Sequence, residues 1–161
     1  VPTRHQGIGR RFVGAAWSGG SMTASPDGSN ALLAAVRARL LADPVLSAIV
    51  ADRVFDRPGQ DTDFPYVQIG DTQVLPFEAL CVTGTTVYLT FHLWARDGWA
   101  GDQVRDMASA LYASLHGQTF PINADYRLQL LEHQNLRVMR DPDGMTRHGV
   151  SDFRADITID T

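Results

Sequence analysis

Near the end of the chain Phe153, Ala155, Ile157 and Ile159 alternate with Asp152, Arg154, Asp156 and Thr158. A period of two is the signature of an extended strand with one buried face. The residues upstream set its partner. Asp141-Pro142-Asp143-Gly144 puts proline where a turn presets φ and glycine where φ must be positive. Strands are therefore expected at about Tyr126–Arg140 and Thr146–Asp160, joined as a hairpin. Val150 is off phase, so a twist or bulge is expected near the turn. Alternation recurs from Thr86 to Arg96, where Val87, Leu89, Phe91, Leu93 and Ala95 face away from Tyr88, Thr90, His92 and Trp94. It begins again around Phe64–Gly70. The stretch between these two, Leu75 to Gly84, carries Pro76, Phe77 and Leu80 and is expected to be a protruding, partly apolar loop suited to contact with a partner.

Elsewhere the period changes to that of helices. Leu32, Leu33, Val36, Leu40 and Leu41 form one stripe from Ser29 onward, with Ser29 or Asn30 available as cap. Asp43-Pro44 places a capping carboxylate before a proline at the first position of a short second helix containing Leu46, Ile49 and Val50. Asp102 can cap a third, striped by Val104, Met107, Ala108, Leu111 and Leu115 and ended by Gly117. The order α-α-β-β-α-β-β predicts an α+β domain: a mainly antiparallel four-stranded sheet with two main helices packed on one face.

Residues 1–28 contain six of the chain's glycines, Gly7, Gly9, Gly14, Gly19, Gly20 and Gly28, together with Pro2 and Pro26, and no sustained period. They read as an arm, flexible or docked on a neighbour, ahead of a single domain over 29–161. Met22 within the arm is a candidate translation start. Arg4, Arg10 and Arg11 make the arm net positive, whereas the remainder has 11 arginines against 17 acids. A body of net charge −6 repels duplex DNA rather than wrapping it. The lone Cys81 excludes an internal disulfide and reads as a core thiol. No apolar run is long enough for a membrane span, and the chain is expected to be soluble and not exported.

Chemistry-bearing patterns are sparse. Gly7-x-Gly9 lacks the third glycine and the flanking strand and helix of a nucleotide loop. His5, His92, His116, His133 and His148 have no metal-ligand spacing, and neither metal nor cofactor is expected. Asp52, Asp56, Asp61 and Asp63 alternate with Arg53 and Arg57 around Pro58-Gly59 as a solvated loop would. A small hydrolase or isomerase would have to use His148 with Asp141 or Asp143 at the turn, and a nucleic-acid-binding module would have to use the Arg10-Arg11 arm. The remaining signal is aromatic: Tyr88, His92, Trp94 and Trp99 with Arg96, and Phe77 with Leu80, in a chain whose 14 basic residues are all arginine. Aromatics with arginine are the usual anchors of protein interfaces.

Taken in order, Ala31–Leu40, Asp52-Arg53-Val54-Phe55-Asp56, Phe64-Pro65-Tyr66-Val67-Gln68-Ile69-Gly70, Leu89–Arg96 and Arg140–Gly149 resemble the tail completion, or tail terminator, proteins of long-tailed phages and bacterial gene transfer agents. The Pro-Tyr-Val strand and the Arg-Asp-Pro-Asp-Gly turn weigh most, and the likeness runs from about residue 29 to 159. It implies a nonenzymatic ring protein, commonly a hexamer, that caps the tail tube and joins it to the head-side connector or stopper. DNA then only passes through the lumen. It also implies assembly in the bacterial cytoplasm and residence at the head–tail junction, with no membrane partner. Tyr88, His92, Trp94, Arg96, Phe77 and Leu80 are the residues expected at the interface between copies.

Overall fold

The computed structural model describes residues 27–79, 82–96 and 102–159. Three helices, α1 (Ser29–Ala42), α2 (Pro44–Val50) and α3 (Gln103–Leu115), accompany five strands: β1 (Val54–Phe55), β2 (Tyr66–Ala79), β3 (Val82–Ala95), β4 (Tyr126–Arg140) and β5 (Arg147–Ile159). The sheet order is β1-β2-β3-β5-β4, with β1 parallel to β2 and every other pair antiparallel. The architecture is α+β, as the alternation predicts, with five strands in place of the expected four. β1 is only two residues long, too short to leave a period in the sequence.

The β4–β5 hairpin follows from local chemistry, whereas the pairing of β2 with β3 runs against expectation. At the β4–β5 turn Gly144 has φ 71°, and its N–H donates to the Asp141 carbonyl. The Asp143 carboxylate accepts from the N–H groups of Met145 and Thr146 and from the Thr146 hydroxyl. The stretch Leu75–Gly84, expected as a loop, instead continues both strands: Leu75 pairs with Thr86, Phe77 with Gly84 and Ala79 with Val82. Pro76 is compatible because β2 lies toward the sheet margin, where a missing N–H breaks no ladder to an outer strand. Gly84 is required here for a different reason, since a Cβ would fall 2.5 Å from the Ile157 carbonyl oxygen and 2.6 Å from the Phe77 ring.

Register corrects a second expectation. β5 pairs with β3 without interruption from Arg147 to Thr158, so no bulge occurs at Val150. The irregularities lie in β4, between Leu128 and Leu130 and between His133 and Asn135, and in β2, between Ile69 and Thr72. Val150 keeps the phase of Asp152 and Arg154 and is buried on that face between His92 and Arg137.

Helix caps agree in part. The Asp43 side chain accepts from the N–H groups of Val45 and Leu46, with Pro44 at the first helical position, as read. At α1 neither Ser29 nor Asn30 is the cap; Gly28 occupies that position, and the Asp27 carboxylate accepts from the Ser29 N–H. Asp102 stands at the N-cap of α3 but makes no capping bond, because its carboxylate pairs with Arg105 at 2.7 Å and Arg147 at 3.4 Å. Gly117 takes the left-handed conformation after α3, at φ 68°.

The core lies between the helices and one sheet face. Leu32, Val36, Leu40, Leu46, Val104, Met107, Leu111 and Leu115 close over Val87, Leu89, Phe91, Leu93, Phe153, Ala155 and Ile157. Phe91 and Phe153 meet edge to face at 5.6 Å between ring centres. α3 approaches so closely that a Cβ on Gly149 would stand 2.6 Å from Val104 Cγ1. Among the described residues no helix is long and apolar enough to cross a membrane. Phe153→Ala is expected to lower stability by about 3–5 kcal/mol, and Gly149→Ala by about 1–3 kcal/mol through overpacking. Urea unfolding monitored by circular dichroism reads both; a Gly149→Ala chain as stable as the parent would contradict the close approach of α3.

Candidate assembly surface

Because alternate side chains of a strand leave on opposite faces, burial of Phe91 and Leu93 sends Tyr88, Thr90, His92 and Trp94 to the face without helices. Register assembles their neighbours. Across one end of that face runs the row Tyr66, Trp94, His148, Met139, each opposite the next on adjacent strands. Trp94 and His148 stack at 3.8 Å with an interplanar angle of 3°. Tyr66 lies 6.3 Å from Trp94, and Phe64 and Phe55 continue the row beyond it at 5.3 and 6.4 Å from Tyr66. The indole N–H of Trp94 is buried and has no acceptor among the described residues.

His92 and His148 join this cluster through a 2.8 Å contact between His92 Nδ1 and His148 Nε2. One ring must donate and the other accept, so at least one of the two is neutral. Burial, and next to it the charge of His92, holds His148 below the ordinary histidine value; Arg137 acts the same way, and Asp141 opposes them. Burial also pushes the Tyr66 hydroxyl above the usual tyrosine value. Gly70 leaves room for the His92 ring, which would lie 2.8 Å from a Cβ there.

Toward the middle the face becomes polar and internally satisfied. The Thr90 hydroxyl donates to Asp152 and that of Thr86 to Asp156, while Arg154 forms a two-point pair with Asp156. Arg137 lies 3.8 Å from Asp152. Apolar groups return at the far end: Leu75, Val82 and Tyr88 are exposed, and Phe77 lies half-buried over Gly84.

Of the residues expected at an interface, Tyr88, His92, Trp94 and Phe77 thus share one face. Arg96 flanks it, with its guanidinium 4.5 Å from the centre of the Phe64 ring and 3.9 Å from Asp143. Leu80, Cys81, Trp99 and the arm through residue 26 lie outside the described residues. Tyr66, Met139 and the stacking role of His148 were missed, because their places in the row depend on cross-strand register.

The catalytic arrangement considered for the turn does not form. His148 is engaged by His92 and Trp94, while Asp143 holds the backbone of its own turn. Asp52, Asp56, Asp61 and Asp63 are exposed around β1 and the segment before β2. Among the described residues no three histidine, cysteine or carboxylate side chains converge as metal ligands. A second histidine pair closes part of the β4 edge: His116 Nδ1 accepts from the His133 N–H, and Tyr112 stacks on His116. Burial, then the charge of His116, keeps His133 below its ordinary value.

Comparison with known proteins converges on one family. The model of the tail completion protein gp17 family matches residues 34–158. The tail completion protein gp17 of Bacillus phage SPP1 is 30% identical over 112 residues, 65% of this chain and 76% of that protein. A chain in the virion of a native gene transfer agent particle superposes with a TM-score of 0.71 at 26% identity, over 80% of this chain and 96% of that one.

His148 and His133 bind protons less readily folded than unfolded. Their contribution to stability is therefore complete above the unfolded value of 6.5 and is lost progressively as the pH falls below it toward the lower folded values. The urea midpoint is expected to drop between about pH 7.5 and about pH 5.5, and His148→Gln to flatten that decline. A midpoint that is constant or rises on acidification across this window would refute the assignment.

Proposed function

The chain belongs to the tail completion protein gp17 family, and from that premise we propose that its copies close into a ring, commonly a hexamer, that caps the finished tail tube and joins it to the head-side connector. The coarser role is already secure: a structural component of a phage or gene transfer agent particle, not an enzyme.

The observation that supports the ring is the sheet itself. One face is closed by the chain's own helices, and the other carries an aromatic row and exposed apolar groups with no covering element among the described residues. A closed ring needs heterologous contacts, in which two different patches meet. The face bearing Tyr88, His92, Trp94 and Phe77 and the flanking Arg96 provide one such patch, and the hairpin of β2 and β3 extends it. The body's acidic balance suits a lumen that DNA must traverse without adhering, because phosphate is repelled rather than trapped. Assembly in the bacterial cytoplasm before incorporation at the head–tail junction completes the reading.

Negative-stain microscopy of the purified protein, alone and with its tail-tube partner, tests it. Rings that seat on tube ends are expected; particles that stay single at high concentration and ignore tubes would overturn it. Trp94→Ala is expected to weaken ring formation by about 2 kcal/mol or more, as loss of an aromatic anchor does. Unchanged ring abundance in native mass spectrometry would remove Trp94 from the contact.

A further inference from the structure

We infer that neighbouring copies join head to tail, with the arginine-bearing turn end of β4 in one copy lying against the acidic segment beside β1 in the next. The inference rests on the ring reading and names its contact.

The two margins of the sheet carry opposite charge. Residues 52–79, which include β1, β2 and the segment between them, contain six acids and two arginines, a net charge of −4. β4 at the other margin contains three arginines and one glutamate, a net charge of +2. Asp56, Asp61 and Asp63 are exposed on the first, Arg137 and Arg140 on the second. Two acidic margins repel each other, as do two basic ones, so the charge pattern disfavours an isologous pair and favours a repeating head-to-tail contact.

Arg137 and Arg140 also lie at the same end of the sheet as the acidic segment; of the acids that follow them in the turn, Asp143 is held by its own backbone and by Arg96. Arg140 pairs with Arg147 and Arg147 with Ala95, while Trp94 pairs with Tyr66, the residue that follows the acidic segment by way of Phe64 and Pro65. Rotation about an axis running along the strands keeps every residue at its own height. Arg137 and Arg140 of one copy therefore meet the level of Asp56, Asp61 and Asp63 of the next. Met139, 44% exposed between those arginines, ends the row that Phe55 and Phe64 begin. Closing the contact brings Met139 beside the next copy's phenylalanines, where its sulfur and methyl group have an aromatic partner.

The backbone along the margins disfavours a continued β-ladder between copies. In the middle of β4 the Gly117 N–H donates to the Leu131 carbonyl and His116 accepts from the His133 N–H, which closes the edge there. On the other side the irregularity between Ile69 and Thr72, and Pro76 further along, spoil β2 as a template for strand addition. Side-chain charge and the aromatic row, not a continued ladder, then join the copies.

Charge reversal tests this in the full-length protein, with ring abundance read by native mass spectrometry and folding by circular dichroism. Arg137→Glu with Arg140→Glu, and separately Asp61→Arg with Asp63→Arg, are each expected to raise the concentration needed for half-assembly by about a hundredfold. All four changes in one chain should restore rings. The unmodified protein provides a measurement that needs no variant: moving from about 0.05 M to about 1 M salt is expected to raise its half-assembly concentration at least tenfold. If neither charge reversal affects rings, or if the combined chain fails to recover them, or if assembly is indifferent to salt, the contact lies elsewhere while the ring reading stands. If the unmodified protein forms no rings at low salt, both fall.

Discussion

Antiparallel pairing of β3 with β5 is the constraint on which the rest of the molecule depends. Its register is unbroken from Gly84 opposite Thr158 to Ala95 opposite Arg147. Each residue is thereby committed to one of two faces. Phe91, Leu93, Phe153 and Ala155 receive the helices, and Tyr88, His92, Trp94 and His148 are left on the opposite face. A shift of one residue would exchange these sets, sending phenylalanines outward and aspartates into the core. The edge-to-face contact of Phe91 with Phe153 and the close seating of α3 over Gly149 both oppose such a slip.

The two faces are finished differently. The helix-covered face is mostly apolar, with large side chains wholly removed from solvent. The open face satisfies its own charges in the middle, through Thr90 with Asp152 and Thr86, Arg154 and Asp156, and leaves aromatic and apolar groups at its ends. A surface of this kind retains apolar area that a partner can bury. That arrangement is found here in a chain of the tail completion protein gp17 family, a structural component of phage and gene transfer agent particles. The histidine pair on the open face adds a protonation-sensitive contact at its aromatic end.

Most elements were legible along the chain because their signals are local. The Asp43-Pro44 helix start, the stripe from Val104 to Leu115, and the Asp-Pro-Asp-Gly turn each depend on residues a few positions apart. The readings that failed depended on neighbours distant in sequence. Leu75–Gly84 looked like a loop because it is too long for a tight hairpin and carries Pro76, Phe77 and Leu80, but Pro76 lies on a marginal strand and Gly84 accommodates Phe77 and the backbone of β5. Asp102 looked like a cap until Arg147, 45 positions away, competed for its carboxylate. Val150 looked like a bulge although β5 is regular there, since its burial comes from side chains on β3 and β4.

By itself, then, the amino-acid order determined the three helices and the main strand segments, though not β1 or the strand course of Leu75–Gly84, together with the apolar side of each and the family to which their succession belongs. Periodicity, caps and turn residues act over a few positions, so they are readable without the fold. Tertiary structure alone decided the strand register, and with it the row from Tyr66 through Trp94 and His148 to Met139 and the placing of acidic and basic margins at one end of the sheet. Those depend on which strand lies beside which, a choice made by packing α3 and α1 over the sheet rather than by any local preference of the residues concerned.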